Sequence, residues 1–311
     1  MAEATIPVNL LNPGQVFACL GFLEAADVLL GDAEGKFDWA DETNVRFLLH
    51  ALGAENPFQV VLGFLKEAKI RRCAPTGYRE KPSKGNHSTK EADEEDKAEP
   101  FELVITECFP KRHGEPMALP IRLESDANLS MSIGHWADGS SRKDFKLYAG
   151  NRSAAKIAWD MLRGTRKKPG KKQKVGDLIT KGVADLWEQA AGDLVANPLN
   201  VLTPLGGTFN FDARKNWTTI DAGYSPDKQK HKLGASPVVE ILAALGLEHA
   251  RPRVDGHLTR YGAWGGFLPP ILARPALAGS EVGVPVRRFS FTLGKSGENR
   301  IATFAQEEEN L

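Results

Sequence analysis

Apolar residues in this chain of 311 residues fall in short segments, and few of those segments repeat at helical spacing. The clearest periodicity follows Asn12-Pro13, where Val16, Phe17, Leu20, Leu23, Ala26, Val28, Leu29 and Leu30 predict a helix with one apolar face, stopped at Gly31. Asparagine before a proline suits the cap and first position of a helix. Asn56-Pro57 repeats that signal and predicts a second helix to about Ala68. Short strand-like runs surround them: Thr5 to Leu10, then Lys36 to Trp39 with Asn44 to Leu49 as a hairpin. Further on, Phe101 to Thr106, Leu119 to Leu123, Leu129 to Ile133, Phe145 to Tyr148 and Val284 to Leu293 read as strands, with others near Phe209 and Trp217. Helices are expected over Ser153 to Leu162, anchored by Ile157 and Trp159, over Val175 to Val195, and over Pro237 to Leu245. The Val175 to Val195 helix would carry Leu178, Val183, Leu186, Trp187 and Leu194. Together these predict an α+β fold, mixed and mainly antiparallel in its sheet, with several packed helices and no clean boundary across residues 1–311.

With 41% hydrophobic and 26% charged residues, the composition is that of a globular chain, neither fibrous nor wholly disordered. No apolar run approaches the roughly 20 residues of a membrane helix. Met1 to Asn9 lacks the basic start and apolar centre of a signal peptide. The expectation is a cytoplasmic protein with no membrane partner. Cys19, Cys73 and Cys108 are odd in number and far apart, which suits reduced thiols rather than disulfides or a zinc site. Cys19 falls within the first apolar pattern and should pack as a small hydrophobe.

Net charge is zero, but the charges are segregated. Residues 79–98 have almost no large apolar group and run into an acid-rich stretch of Glu91, Asp93, Glu94, Glu95, Asp96, Glu99 and Glu102. Such a segment cannot offset its ordering entropy by burial, so a flexible acidic loop is expected over 79–98. From Arg142 to Lys181 the balance reverses, with Asp144, Asp160 and Asp177 as the only acids. The densest part, residues 163–174, contains Arg163, Arg166, Lys167, Lys168, Lys171, Lys172 and Lys174, and its glycines and proline keep it out of a helix. A loop of this kind can follow a phosphate backbone and release counterions, or it can be a solvated turn. Arg142, Lys143, Lys146, Arg152 and Lys156 would enlarge the patch.

A second basic constellation begins at Phe209. Asn210, Arg214, Lys215 and Asn216, then Lys228, Gln229, Lys230 and Lys232, interleave amides and cations with Phe209, Phe211, Trp217 and Tyr224. That mixture suits backbone contacts with some stacking or base-edge reading, while strand alternation would place the aromatics in the core.

Enzyme signatures are missing: no H-E-x-x-H, G-x-S-x-G or G-x-G-x-x-G occurs. Gly294-Lys295-Ser296 resembles the end of a phosphate-binding loop, but Phe289 stands where the leading glycine belongs, so a turn is expected. His249 and His257 flank Arg251-Pro252-Arg253 without a cysteine or carboxylate pair to complete a metal site. Asp212 and Asp221 could form a carboxylate pair, though ion pairing is the simpler role. No catalytic residue, metal site or cofactor is expected.

Asn12-Pro13-Gly14-Gln15, continuing Phe17-Ala18-Cys19-Leu20-Gly21-Phe22-Leu23-Glu24-Ala25-Ala26-Asp27, resembles the opening of large-subunit proteins of type I CRISPR effector complexes. The closest likeness is to the short large subunits of type I-U, also called I-G, systems. Phe211-Asp212-Ala213-Arg214 and Asp221-Ala222-Gly223-Tyr224-Ser225-Pro226 are similar to that family as well. The resemblance implies a non-catalytic subunit near the 5′ handle of a guide RNA. Such a subunit contacts the protospacer-adjacent motif on target double-stranded DNA, aids duplex opening, and presents a surface to a recruited helicase-nuclease. Its partners would include backbone and handle-binding subunits. Many large subunits end in a helical bundle, whereas residues 250–311 read as strand- and loop-rich, so a small-subunit role would fall to another chain. Asn12, Gly14 and Gln15 either start a capped helix or offer backbone N–H groups to a phosphate or a neighbouring subunit. The alternatives are another RNA-binding CRISPR subunit, in the backbone or in guide processing, and an α+β enzyme using His249 or His257.

Overall fold

Alternating burial along Ala2–Pro7 makes β1 half-buried, and an 18-residue helix, α1 (Pro13–Leu30), follows it. The structure, a computed structural model, describes residues 1–79, 101–106, 118–137, 145–148, 152–167, 177–215, 233–296 and 299–309. After α1 come the hairpin strands β2 (Glu34–Asp38) and β3 (Arg46–Ala51). β3 lies between β1 and β2, antiparallel to both, in the register Ile6↔Phe47↔Phe37. β1 and β2 are therefore parallel strands joined across α1 with one strand inserted between them, a split β-α-β unit. The next helix, α2 (Pro57–Glu67), starts as its sequence predicts: the Asn56 side-chain oxygen accepts from the Phe58 and Gln59 amides.

β4 (Lys69–Pro75) opens a separate sheet. It pairs parallel with β5 (Leu103–Thr106) and antiparallel with β6 (Ile121–Glu124), which continues to β7 (Ser130–Ile133). The chain then runs through α3 (Ala154–Arg163), the short strands β8 (Thr165–Arg166) and β9 (Leu178–Thr180), α4 (Val183–Ala196), β10 (Thr203–Pro204), β11 (Gly234–Ala235) and α5 (Pro237–Gly246). Last come β12 (Arg253–Asp255), β13 (Leu258–Trp264), α6 (Pro270–Leu277), the long β14 (Val286–Ser296), β15 (Asn299–Ala302) and β16 (Gln306–Glu307). β12, β13, β14 and β15 form one sheet in that order, with β16 on β14. Among the described residues every strand pairing except β4–β5 is antiparallel, so the expected α+β class holds.

The core is built around α1. Its expected single apolar face is replaced by burial on all sides from Pro13 to Ala26. By length and composition α1 could cross a membrane, contrary to the sequence expectation, but 78% of it is buried inside the fold. The Phe17 ring meets Phe145, Phe211, Tyr261 and Phe291 at centroid distances of 5.6–6.5 Å. Cys19 is fully buried, as expected, and burial pushes its thiol pKa well up.

Four other expectations are corrected. Trp159 is 40% exposed rather than a buried anchor of α3, its ring 5.8 Å from that of Phe101. The helix expected from Val175 begins at Val183, since Leu178–Thr180 pairs with β8 and Gly182 caps the helix. Phe145–Tyr148 and Phe209 lie outside strands, and Trp217 lies outside the described residues. Gly294-Lys295-Ser296 belongs to the end of β14, paired with β15, rather than to a turn. The acidic segment 80–98 and Cys108 also lie outside the described residues.

Candidate nucleic-acid interface

The two segments that carry the family resemblance, 200 residues apart in sequence, interlock. Asn12 precedes α1 without using its side chain as a cap. Its Nδ2 instead donates to Asp212 Oδ1 at 2.9 Å, and its Oδ1 accepts from the Ala213 amide at 3.2 Å. Gly14 is needed beside it, because a Cβ there would stand 2.4 Å from the Phe211 carbonyl oxygen. Gln15 Nε2 donates to Asn200 Oδ1 at 3.1 Å, and its Oε1 accepts from the Asn9 amide at 2.7 Å. Asn12, Gly14 and Gln15 are all buried, so this helix start is not open to an outside phosphate.

Asp212 is the hub. It is fully buried and accepts from Asn12, from the Ser236 amide at 2.9 Å, and from Arg214 through Nε at 2.8 Å and Nη2 at 2.7 Å. Arg214 also donates to Asn200 Oδ1 and to the Leu199 carbonyl, which commits its guanidinium inside the fold. The second buried carboxylate is Glu240, on α5 behind its Ser236 cap, and it accepts from the Asp212 amide at 2.9 Å and the Phe211 amide at 3.4 Å. Burial, with a contribution from the Asp212 charge, raises the Glu240 pKa to about 7. The carboxylate partner of Asp212 is thus Glu240, not Asp221, which lies outside the described residues.

These bonds correct part of the expected binding set. Asn210 is only 4% exposed, at φ 70°, and both ends of its side chain are used: Thr208 Oγ1 donates to its Oδ1, and its Nδ2 donates to the Leu147 carbonyl. Asn210 and Arg214 are posts of the fold and cannot reach a base edge. Lys215 Nζ donates to Thr208 Oγ1 at 2.7 Å. Arg163 is likewise structural, since its guanidinium donates to the Lys66 and Ala68 carbonyls at the C-terminal end of α2. Arg166 is half-exposed and held by Asp185 Oδ1 at 2.6 Å, while Lys167 is exposed. Arg142, Lys143, Lys168, Lys171, Lys172, Lys174, Asn216, Lys228, Gln229, Lys230 and Lys232 lie outside the described residues.

The described roots of the two basic segments meet. Lys167 N donates to the Asp177 carbonyl at 2.8 Å, and Thr165 N to Thr180 Oγ1 at 3.0 Å, which closes the root of residues 168–176. Thr203 pairs with Ala235 and Pro204 with Gly234, closing the root of the second constellation on its C-terminal side. The two roots touch through Lys181 N and Thr203 Oγ1 at 3.4 Å. Arg152, ion-paired with buried Asp160 at 3.3 Å, lies against Gly207, where a Cβ would be 2.8 Å from its Nη1. The segment Phe145–Tyr148 joins the same edge through the Asn210 bond to Leu147.

Sequence reasoning missed Glu240, Asn200 and the Lys181–Thr203 link. The one available signal was Glu240 itself, an acid in the first turn of a Ser-Pro helix start, where an outward charge is the ordinary reading. His249 and His257 are both exposed, and among the described residues no group of three or more His, Cys, Asp or Glu is placed to hold a metal ion.

The fold and site define an α+β protein of mainly antiparallel sheets with a buried carboxylate hub, Asp212, bonded to Asn12 and Arg214. No family model matches the chain, and neither a curated protein nor a solved structure matches it.

Proposed function

We propose that this chain is the large subunit of an RNA-guided CRISPR effector complex, cytoplasmic and without catalytic activity of its own. It contacts duplex DNA at the protospacer-adjacent motif, aids duplex opening and helps recruit the helicase-nuclease. Guide RNA, target DNA and the backbone and handle-binding subunits are its partners. One observation carries the reading. The two segments that resemble the family bind each other through Asn12, Asp212 and Ala213, and the second leads directly into a basic stretch. Adjacent roots for the two basic segments support a single nucleic-acid face.

The test replaces Arg166, Lys167, Lys168, Lys171, Lys172 and Lys174 with alanine in the assembled complex. Binding to motif-bearing and motif-scrambled duplexes is then measured over a salt series. Affinity should fall for both duplexes, and the slope of log K against log salt should flatten by about 0.9 for each phosphate that the variant no longer neutralises. Motif preference should persist, because phosphate contacts position while base contacts specify. An unchanged slope would mean that residues 163–174 are a solvated turn and that the DNA path lies elsewhere.

A further inference from the structure

We propose that the outer face of α6, with the acidic cleft beside it, docks an amphipathic basic helix of another protein. The inference does not rest on the nucleic-acid reading and goes beyond it. Within Pro270–Leu277 the one charged side chain is Arg274, and α1 engages it: its Nε and Nη2 donate to the two carboxylate oxygens of Glu24 at 2.7 and 2.8 Å. What α6 turns outward is Ile271, 70% exposed, Leu272, 43% exposed, and half-buried Pro275. Pro275 follows Ile271 by four residues and Leu272 by three, so the three side chains form one ridge on the helix. No other leucine, isoleucine or valine among the described residues is as exposed as Ile271. Single exposed hydrophobes are ordinary, whereas adjoining ones mark a contact surface.

The ridge borders an open cleft of about 460 Å³ between the start of α6, the last turn of α1 and the start of β2. Ile271 forms one wall, and Asp27, Asp32 and Glu34 supply an acidic rim. The Asp27 carboxylate accepts from the Ala33 amide at 3.1 Å, and among the described residues no ion pair engages any of the three. The cations nearby are taken. Glu24 holds Arg274, Glu3 holds His50 at 2.5 Å directly opposite Glu34 in the sheet, and Lys36 sits over the Phe267 ring at 4.8 Å. Met1 lines the cleft as well. Even with its ammonium counted beside Arg274, the rim and Glu24 set four carboxylates against two cations.

Charge and apolar surface together select the occupant. A helix with apolar residues at i, i+3 and i+4 and Lys or Arg along one flank matches both the ridge and the rim, in the helix-in-groove manner of recognition. Nucleic acid and anionic lipid are repelled by the same rim. A second copy of this chain meeting the face about a two-fold axis would set the rim against itself, because such a contact pairs one patch with its own copy. Covering Ile271 and Leu272 supplies the binding energy, and the rim sets approach and orientation.

The experiment uses the full chain and three labelled model peptides of equal length: a Leu/Lys amphipathic helix, its Leu/Glu counterpart, and a Ser/Lys peptide with the charge of the first. Anisotropy is followed for the wild type, for Ile271→Ser/Leu272→Ser and for Asp32→Asn/Glu34→Gln. The Leu/Lys peptide should bind, and the first variant should weaken it about tenfold or more, as the loss of covered aliphatic surface requires. The second variant should weaken it less, by a margin that disappears at high salt. Melting temperatures should match the wild type, because none of the four side chains is buried. A Ser/Lys peptide bound as tightly as Leu/Lys, or Leu/Lys binding untouched by the first variant, overturns the proposal. Leu/Glu binding as tight as Leu/Lys does so too, by removing the charge selection. Dimerisation in sedimentation that the first variant abolishes assigns the face to a second copy, and binding to phosphatidylglycerol vesicles that it abolishes assigns the face to a membrane; each overturns the proposal. A fall of several degrees in the melting temperature of the first variant also overturns it, by making the ridge part of the fold.

Discussion

Glu240 has no exposed surface and takes its hydrogen bonds from two backbone amides. The ionisable groups acting on it are Asp212, whose charge disfavours its ionisation, and Lys215, which favours it. Its pKa in the fold is about 7 against an ordinary 4.5, so the folded chain holds this proton more tightly than the unfolded chain. The resulting stabilisation is fully present below pH 4.5, declines as pH rises and is gone above about 7. At about 1.4 kcal/mol per pH unit over that gap, the group accounts for roughly 3 kcal/mol. Glu240→Gln should remove most of this slope, seen as urea midpoints that change less between pH 5 and 8 than in the wild type. A variant with the wild-type pH profile would show that Glu240 ionises normally. None of this was legible in sequence, because a first-turn glutamate reads as an outward charge until α1 and residues 209–213 close over it.

At the scale of elements, starts and caps were legible where the signal was local. Asn56-Pro57 opens α2, and Ser153 caps α3 through the Lys156 amide. Signals that depend on neighbours misled. Asn12 looked like a cap and became a tertiary bond, and Leu178 looked helical and became a strand residue. Helix packing depends on single atoms of the same kind. A Cβ on Gly21 would lie 2.0 Å from the Leu242 carbonyl oxygen, where α1 crosses α5, and one on Gly246 would lie 2.4 Å from the Phe17 carbonyl oxygen. Gly21→Ala should therefore destabilise the fold by about 1–3 kcal/mol or more in chemical denaturation, because two backbones must separate. Gly63 in α2 has nothing within 4 Å of the same added atom. Gly63→Ala should instead stabilise by about 0.5–1 kcal/mol through helix propensity. Equal effects of the two would overturn this account of the crossing.

Across the whole molecule, Trp264 fastens the N-terminal sheet to the C-terminal one. Its ring meets Phe37 at 4.9 Å and Phe47 at 6.4 Å, and its Nε1 donates to the Gly35 carbonyl at 2.7 Å. Gly35 and Leu268 exchange backbone hydrogen bonds beside it. Trp264→Ala should lower unfolding stability by about 3–5 kcal/mol, measured by denaturant titration. A decrease below about 1 kcal/mol would mean that the sheets hold together without it. Periodicity and turn chemistry, which act within a few residues, determined the α+β class, the starts of α1, α2, α3 and α5, and the β2–β3 hairpin. The basic character of residues 163–174 was legible for the same reason. Which polar residues face solvent and which are sealed inside was decided only by tertiary structure. Asn210 and Arg214 have the composition of a binding surface, yet Leu147, Asp212 and Asn200 consume their hydrogen-bonding groups. Burial and register join residues far apart in the chain, and no local pattern encodes them.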